Sequence, residues 1–204
     1  MNRLAGYAFK LSLKLRHNPA RLLFRDFFFR LTNPYDPAEW ELVTKSWNGD
    51  VWDLGASVGK FTPILAQANP NHCVFAFEPN LNSLYYLGYR TAALKNVIIV
   101  AAALTNDGEP IPASYDPDFM KKATGPRIVS FALKEALAKF GKPAFIKMDI
   151  EGEEYTIFRK SPELLKDVHV LVEWHPTLVD APIPPLTYWK VSQVDLTHTY
   201  LQPL

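Results

Sequence analysis

The stretch VWDLGASVGKF, residues 51–61, decides how this chain is read. A short apolar run enters two glycines and leaves in a helical pattern, the signature of a strand–loop–helix corner. Residues Gly55 to Gly59 spell G-x-S-x-G, the elbow that presents a nucleophilic serine. With Asp53 they also spell D-x-G-x-x-x-G, a glycine loop that cradles a nucleotide-like cofactor. The two readings make different enzymes, and the rest of the chain separates them.

Outward from this corner, apolar runs of strand length alternate with helical patterns. Residues 50–54, 73–78, 96–104, 144–149 and 168–174 read as strands, and 60–68, 82–94 and 133–140 as helices, with further helical segments in GEEYTIFRK and PELLK. A helix opens at DPAEWELVTKSW, where Asp36 suits the N-cap, Pro37 the first helical position and Glu39 the first turn. Uninterrupted apolar strands joined by helices predict a mostly parallel sheet covered on both faces, a doubly wound α/β fold.

In such a sheet the first strand ends in the cofactor loop, and an acid at the end of the second grips ribose hydroxyls. Glu78 closes VFAFE, 23 residues after Gly55. The hydrolase elbow, by contrast, sits deep in its sheet. Ser57, Asp149 and His175 do run in the Ser…Asp…His order, but the residues before Ser57 read as helices and carry no oxyanion segment. A dinucleotide loop needs a middle glycine where this chain has Ser57. A cofactor without phosphates, S-adenosylmethionine (SAM), suits the wider loop, with Asp53 placed to orient its amino-acid tail through the loop amides or a water.

Composition bounds the partners. The chain has 204 residues, is 48% hydrophobic, and carries a net charge of +1, which gives no reason to expect nucleic acid. Seven basic residues within 1–30 face a single acid, Asp26, so the remainder is net acidic. Residues 1–34 read as a basic amphipathic helical extension and 35–204 as the catalytic domain. The extension either packs its apolar stripe on the domain or lies on a membrane surface. Cys73 is the only cysteine, and no apolar stretch has the length of a membrane span. A cytoplasmic protein, at most peripheral to a membrane, is expected.

DVWDLGASVGKFT, VFAFEPN, NVIIVAAALTNDG, FIKMDIEGEEYTI and VLVEWHP, taken in order, resemble the FkbM family of SAM-dependent methyltransferases. The K-x-D-x-E-G-x-E hallmark stands complete from Lys147 to Glu154, and the resemblance spans residues 49–176. It implies a class I Rossmann-like methyltransferase fold and methyl transfer to a hydroxyl of a sugar, glycolipid or secondary metabolite. Asp53, Gly55, Ala56, Ser57 and Gly59 would line the methionine end, Glu78 and Pro79 the ribose, and Ala103 the adenine. No acid follows for the adenine amine, because Ala102 and Ala103 stand there, which leaves backbone, Asn106 or Asp107.

At the end of the fourth strand, Asp149 would lie beside the transferred methyl group. Lys147, Glu151, Glu173 and His175 complete the expected catalytic edge. His175 would act as a base oriented by Glu173 or Asp149. No metal is expected, although Asp149 and Glu173 are the oxygen pair that suits a Mg²⁺-type ion. Glu153 is expected to face solvent, and Lys147 to pair with a glutamate of the helix that follows. Tyr115, Tyr155, Trp174 and Trp189 are either an acceptor-facing aromatic wall or core. Two departures stand out: Leu133-Lys134 replaces the family's Leu-Asp pair, and only 29 residues follow His175, short for two final strands unless LTYWKVSQVDLTHTYL folds as a hairpin. The alternative reading is a non-catalytic SAM-binding scaffold of the same fold.

Overall fold

The structure, a computed structural model, describes residues 37–112 and 127–204. The N-terminal extension, Asp36 and Tyr115 lie outside the described residues. A first helix, α1 (Pro37–Thr44), precedes β1 (Val51–Leu54), α2 (Thr62–Ala68), β2 (Val74–Phe77), α3 (Leu81–Thr91) and β3 (Val97–Val100). Short strands follow: β4 (Ala103–Thr105), β5 (Ile111–Pro112), β6 (Arg127–Ile128) and β7 (Ser130–Ala132). Then come α4 (Leu133–Phe140), β8 (Phe145–Met148), α5 (Glu153–Lys160), β9 (His169–Glu173), β10 (Trp189–Gln193) and β11 (His198–Pro203).

Seven strands form one sheet in the order β10-β11-β9-β8-β1-β2-β3, with β1, β2, β3, β8 and β9 parallel and β11 antiparallel to both its neighbours. Every residue of β1, β2 and β8 is buried, as strands covered on both faces must be. The doubly wound, mostly parallel sheet expected from the sequence is therefore what the chain forms. The winding reverses between β1 and β8, so the loops leaving those two strands diverge and open a crevice at their carboxyl ends.

Helix α4 seats Phe140 against Trp52 and Phe77 of the sheet, with ring centroids 6.5 and 5.5 Å away. Around α5, Tyr155 lies 5.1 Å from Trp174 and Phe158 lies 5.4 Å from Trp189. Tyr155, Trp174 and Trp189 are 2%, 2% and 4% exposed, so these aromatics form core and not an acceptor wall. The burial of each contributes roughly 1.5–3 kcal/mol.

The structure corrects the expected strand over 96–104. It breaks into β3 and β4, which belong to different sheets, because Ala102 N turns back to donate to Val100 O at 2.8 Å and β4 leaves to pair with β7. The short C-terminal end does make its hairpin, β10–β11, and β11 inserts beside β9.

That hairpin is held by His198. Asp195 accepts from the backbone N–H of Thr197 and His198, and its other oxygen lies 2.8 Å from His198 Nδ1. His198 Nε2 stands 3.2 Å from Glu173 Oε2 and 3.5 Å from Glu39 Oε1 of α1. Burial opposes the charged ring, but Glu173, followed by Glu39 and Asp195, outweighs it and raises the His198 pKa. A raised histidine contributes stability in full below its unfolded value of about 6.5, and that stability is lost as pH rises through the folded value. Thermal unfolding should therefore show a midpoint that falls on alkalinisation above neutrality. A His198→Asn variant should be less stable by about 1–3 kcal/mol at pH 6 and should lack that part of the pH dependence. An unchanged profile in the variant would contradict the assignment.

Candidate active site

The crevice holds a cavity of about 530 Å³. Gly55 and Ser57 of the first loop, Glu78 and Pro79 after β2, Ala102 and Ala103 after β3, and Asp149 and Glu151 after β8 are among its walls. Asp53, in β1, and Ala56 and Gly59, in the loop, are not among them.

The first loop is pinned to the second strand. Gly55 N and Ala56 N both donate to Phe77 O, at 3.0 and 2.9 Å. Glu78 then ties the two loops together: its Oε2 accepts from Ser57 N at 2.7 Å and its Oε1 from Asn80 N at 2.6 Å. Burial raises the Glu78 pKa, and the Asn80 and Ser57 amides restrain the rise. A carboxylate accepts about four hydrogen bonds, so two acceptor positions remain on a group that borders the cavity. Asn80 in turn caps α3 through Asn82 N and Ser83 N.

The serine-nucleophile reading finds no support in this geometry. A nucleophilic serine gives its hydroxyl proton to a base, and no hydrogen bond joins the Ser57 hydroxyl to His175 among the described residues; what the loop shows is the Ser57 amide donating to Glu78.

Asp53 is 1% exposed and accepts from Thr62 Oγ1 at 2.6 Å, while its Oδ1 has no hydrogen-bond partner among the described residues. Burial raises its pKa, against Lys147 and the Thr62 hydrogen bond. Strand register sets Lys147 of β8 beside Asp53 of β1. Lys147 is 2% exposed and its Nζ donates to Asp149 Oδ2 at 2.9 Å. Burial pulls the ammonium down, but Asp149 and Asp53 more than offset it, and the Lys147 pKa ends above the ordinary value. Burial raises Asp149 as well; Lys147, then His175 and Glu173, reverse this and hold it below the usual carboxylate range. Lys147 thus pairs with Asp149, not with a glutamate of α5.

His175 follows β9, and its partner is one the sequence reading passed over. Glu154 is fully buried, and its Oε1 meets His175 Nδ1 at 2.8 Å and His175 N at 3.2 Å, while its Oε2 accepts from Gly152 N. The spacing carried the signal: Glu154, Ile157 and Phe158 stand three and four residues apart, so a buried stripe through Ile157 and Phe158 includes Glu154. Burial opposes the charged His175 ring, but Glu154, then Asp149 and Glu151, raise its pKa to about 9. His175 Nε2 faces Asp149 Oδ1 at 3.4 Å and Glu151 Oε2 at 3.7 Å. Glu173, expected as an orienting partner, stands against His198 instead.

Glu151 sits at φ 56, a left-handed conformation that a non-glycine residue adopts at a cost of roughly 1–2 kcal/mol. Burial raises its carboxyl. Glu153 does not simply face solvent: its Oε1 accepts from Asn106 N at 2.8 Å and it borders the cavity.

A family model described as the methyltransferase FkbM domain matches residues 53–182. No curated protein sequence matches the chain. Among solved structures, the chain is similar to a SAM-dependent methyltransferase from Aquifex aeolicus, with 15% identity over 91% of this chain and 97% of that one and a TM-score of 0.45. It is similar to an rRNA methylase from Streptococcus thermophilus, with 11% identity over 82% and 93% of the two chains and a TM-score of 0.48. A precorrin-6y C5,15-methyltransferase from Geobacter metallireducens gives 12% identity and a TM-score of 0.41; 66% of this chain is covered, and it spans 61% of that chain's length.

Proposed function

The chain belongs to the methyltransferase FkbM family, and from that membership we propose that it carries a methyl group from SAM to a hydroxyl oxygen of a sugar, glycolipid or secondary-metabolite acceptor. The observation that carries the cofactor assignment is Glu78, a carboxylate 6% exposed, fixed by two amides and bordering the cavity. Its remaining lone pairs suit two neutral vicinal hydroxyls, as a ribose offers. The cavity volume falls within the range that buries a ligand of this size, and the small, uncharged side chains of Ala102 and Ala103 leave room for a purine. SAM, when bound, supplies an electrophilic methyl group.

The protein's part is to hold an acceptor oxygen in line with that methyl and to receive its proton. Asp149 and Glu151 stand where the cavity meets His175. With its pKa near 9, His175 carries a proton at neutral pH, so the free lone pairs belong to the two carboxylates. Glu151 Oε2, raised by burial, is the better proton acceptor; Asp149 Oδ1, held down by Lys147, orients the hydroxyl. A non-anionic acceptor is expected, because this rim carries more carboxylates than cations.

Calorimetric titration with SAM and S-adenosylhomocysteine tests the cofactor half. Low-micromolar binding to the native protein is expected, weakened roughly 100-fold in Glu78→Gln through loss of charge-assisted hydrogen bonds of about 1.5–3 kcal/mol each. Methyl transfer to a panel of neutral polyols and glycosides tests the other half. Well-folded protein that binds neither ligand would overturn the proposal; cofactor binding without turnover of any hydroxylated acceptor would leave only a binding role.

A further inference from the structure

Two of the groups at the carboxyl edge have one atom anchored by a buried charge and the other left free. Asp149 Oδ2 is taken by Lys147, which leaves Oδ1. His175 Nδ1 is taken by Glu154, itself 0% exposed, which leaves Nε2. The two free atoms lie 3.4 Å apart, and Glu151 Oε2 comes within 3.7 Å of the same nitrogen. Both separations exceed the usual 2.7–3.2 Å of an N–H···O bond. All three atoms nonetheless lie within 4.8 Å of one another. Ligand atoms about 2.1 Å from a shared ion stand roughly 3.0–4.2 Å apart, depending on geometry.

We propose that Asp149 Oδ1, Glu151 Oε2 and His175 Nε2 form a binding site for a first-row divalent metal ion of the Mn²⁺ or Zn²⁺ class. Two carboxylate oxygens admit a hard cation, and the imidazole nitrogen shifts the preference from Mg²⁺ and Ca²⁺ toward transition metals. A histidine whose second nitrogen is held by a buried carboxylate is the arrangement that fixes tautomer and ring orientation for metal ligation. Glu154 lies outside the donor trio and is not among the walls of the cavity; its hydrogen bonds serve the ring and backbone of His175 and the turn at Gly152. Binding would displace the proton that His175 Nε2 carries at neutral pH in the ion-free protein, and Glu151 would keep its second oxygen for the acceptor's proton. Three protein ligands leave coordination positions open. Because Asp149 and Glu151 also line the cavity, an open position is available to an acceptor oxygen there, where the ion would make a bound hydroxyl more acidic. This last step rests on the methyl-transfer reading; the metal site itself does not.

The test uses the full chain, stripped with chelator and titrated with Mn²⁺ while the signal of the free ion is followed by paramagnetic resonance. One Mn²⁺ per chain at micromolar concentration is expected, with a nitrogen coupling in the bound spectrum. Glu151→Gln, a change at a half-exposed side chain, should weaken binding at least tenfold. His175→Ala should remove the nitrogen coupling, with circular dichroism confirming that both variants fold. Zn²⁺ should displace the ion at equal concentration and Mg²⁺ should not. No binding at millimolar Mn²⁺, binding unchanged in both variants, a bound spectrum without nitrogen coupling, or equal displacement by Mg²⁺ would overturn the proposal. SAM titration of the stripped protein separates the two readings: SAM binding without Mn²⁺ binding would overturn this proposal alone, and Mn²⁺ binding without SAM binding would overturn the methyl-transfer reading alone.

Discussion

Gly55→Ala is expected to leave little folded protein. At φ +79 the alanine side chain is strained, and its Cβ would stand 1.7 Å from the Asp149 carbonyl oxygen and 2.8 Å from the carbonyl carbon. The neighbour is backbone, and it cannot swing aside. Asp149 N donates to Leu54 O at 3.0 Å, so the β8 loop is tied to β1 at the position before Gly55. Relief requires parting the two central strands at their carboxyl ends. A cost of about 4 kcal/mol or more, at the diagnostic end of single substitutions, is anticipated, against total stabilities of roughly 5–15 kcal/mol for domains generally. Gly141→Ala is the control. Gly141 has nearly the same φ, +82, with nothing within 4 Å of an added Cβ. It should lose only the dihedral penalty, about 1–3 kcal/mol for a non-glycine residue at φ 82 and ψ 166. Urea unfolding of the two variants separates clash from strain, and equal losses would show that the close approach to Asp149 is not what Gly55 provides.

Lys147→Met should be the second largest effect. The methionine fills much the same space beside Phe61, whose ring centroid lies 5.0 Å from the Lys147 ammonium. What it removes is a cation that Asp53 and Asp149 share. Breaking a buried ion pair from one side costs about 3–5 kcal/mol, because the remaining charge stays desolvated. The sign of its pH dependence follows from the groups left behind. Without Lys147 the buried Asp53 loses the charge that restrains its already raised pKa, so protonation favours the folded chain. The variant's deficit relative to the native protein should therefore shrink as pH falls from 8 toward 5. A deficit independent of pH would mean that lost packing, and not unpaired charge, is responsible. Lys147→Met/Asp149→Asn should recover part of the loss, and the cycle measures the coupling between the two residues.

The central sheet was legible in the sequence for a physical reason: strands buried on both faces must be apolar throughout, and VWDL, VFAF and FIKM are nearly so. FIKM also shows the limit. Its lysine is as buried as its neighbours, and only the register against Asp53 explains how. The break between β3 and β4 was hidden because IIVAAAL contains no Gly, Pro or Asn; alanines make the turn through one backbone hydrogen bond. The partner of His175 was sought at the strand ends, at Glu173 and Asp149, whereas the closest is Glu154, on the helix that connects those strands. The exchange of partners between the two histidines, Glu154 with His175 and Glu173 with His198, is tertiary information. Glu39 and His198 lie outside the stretch that matches the family, yet His198 stands against Glu173 at the end of β9 and Glu39 stands against His198.

The order of strands also bears on how fast the protein reaches this state. The central pair joins Val51 to Phe145, and β2, α3, β3 and the smaller strands all lie between them in the chain. Parallel pairing over so long an interval closes a large loop before any contact repays the lost entropy, and such topologies fold slowly. Until β8 arrives, one edge of β1 presents unpaired N–H and C=O groups flanked by apolar side chains. That exposed edge, and not the finished molecule, is where self-association during refolding should concentrate.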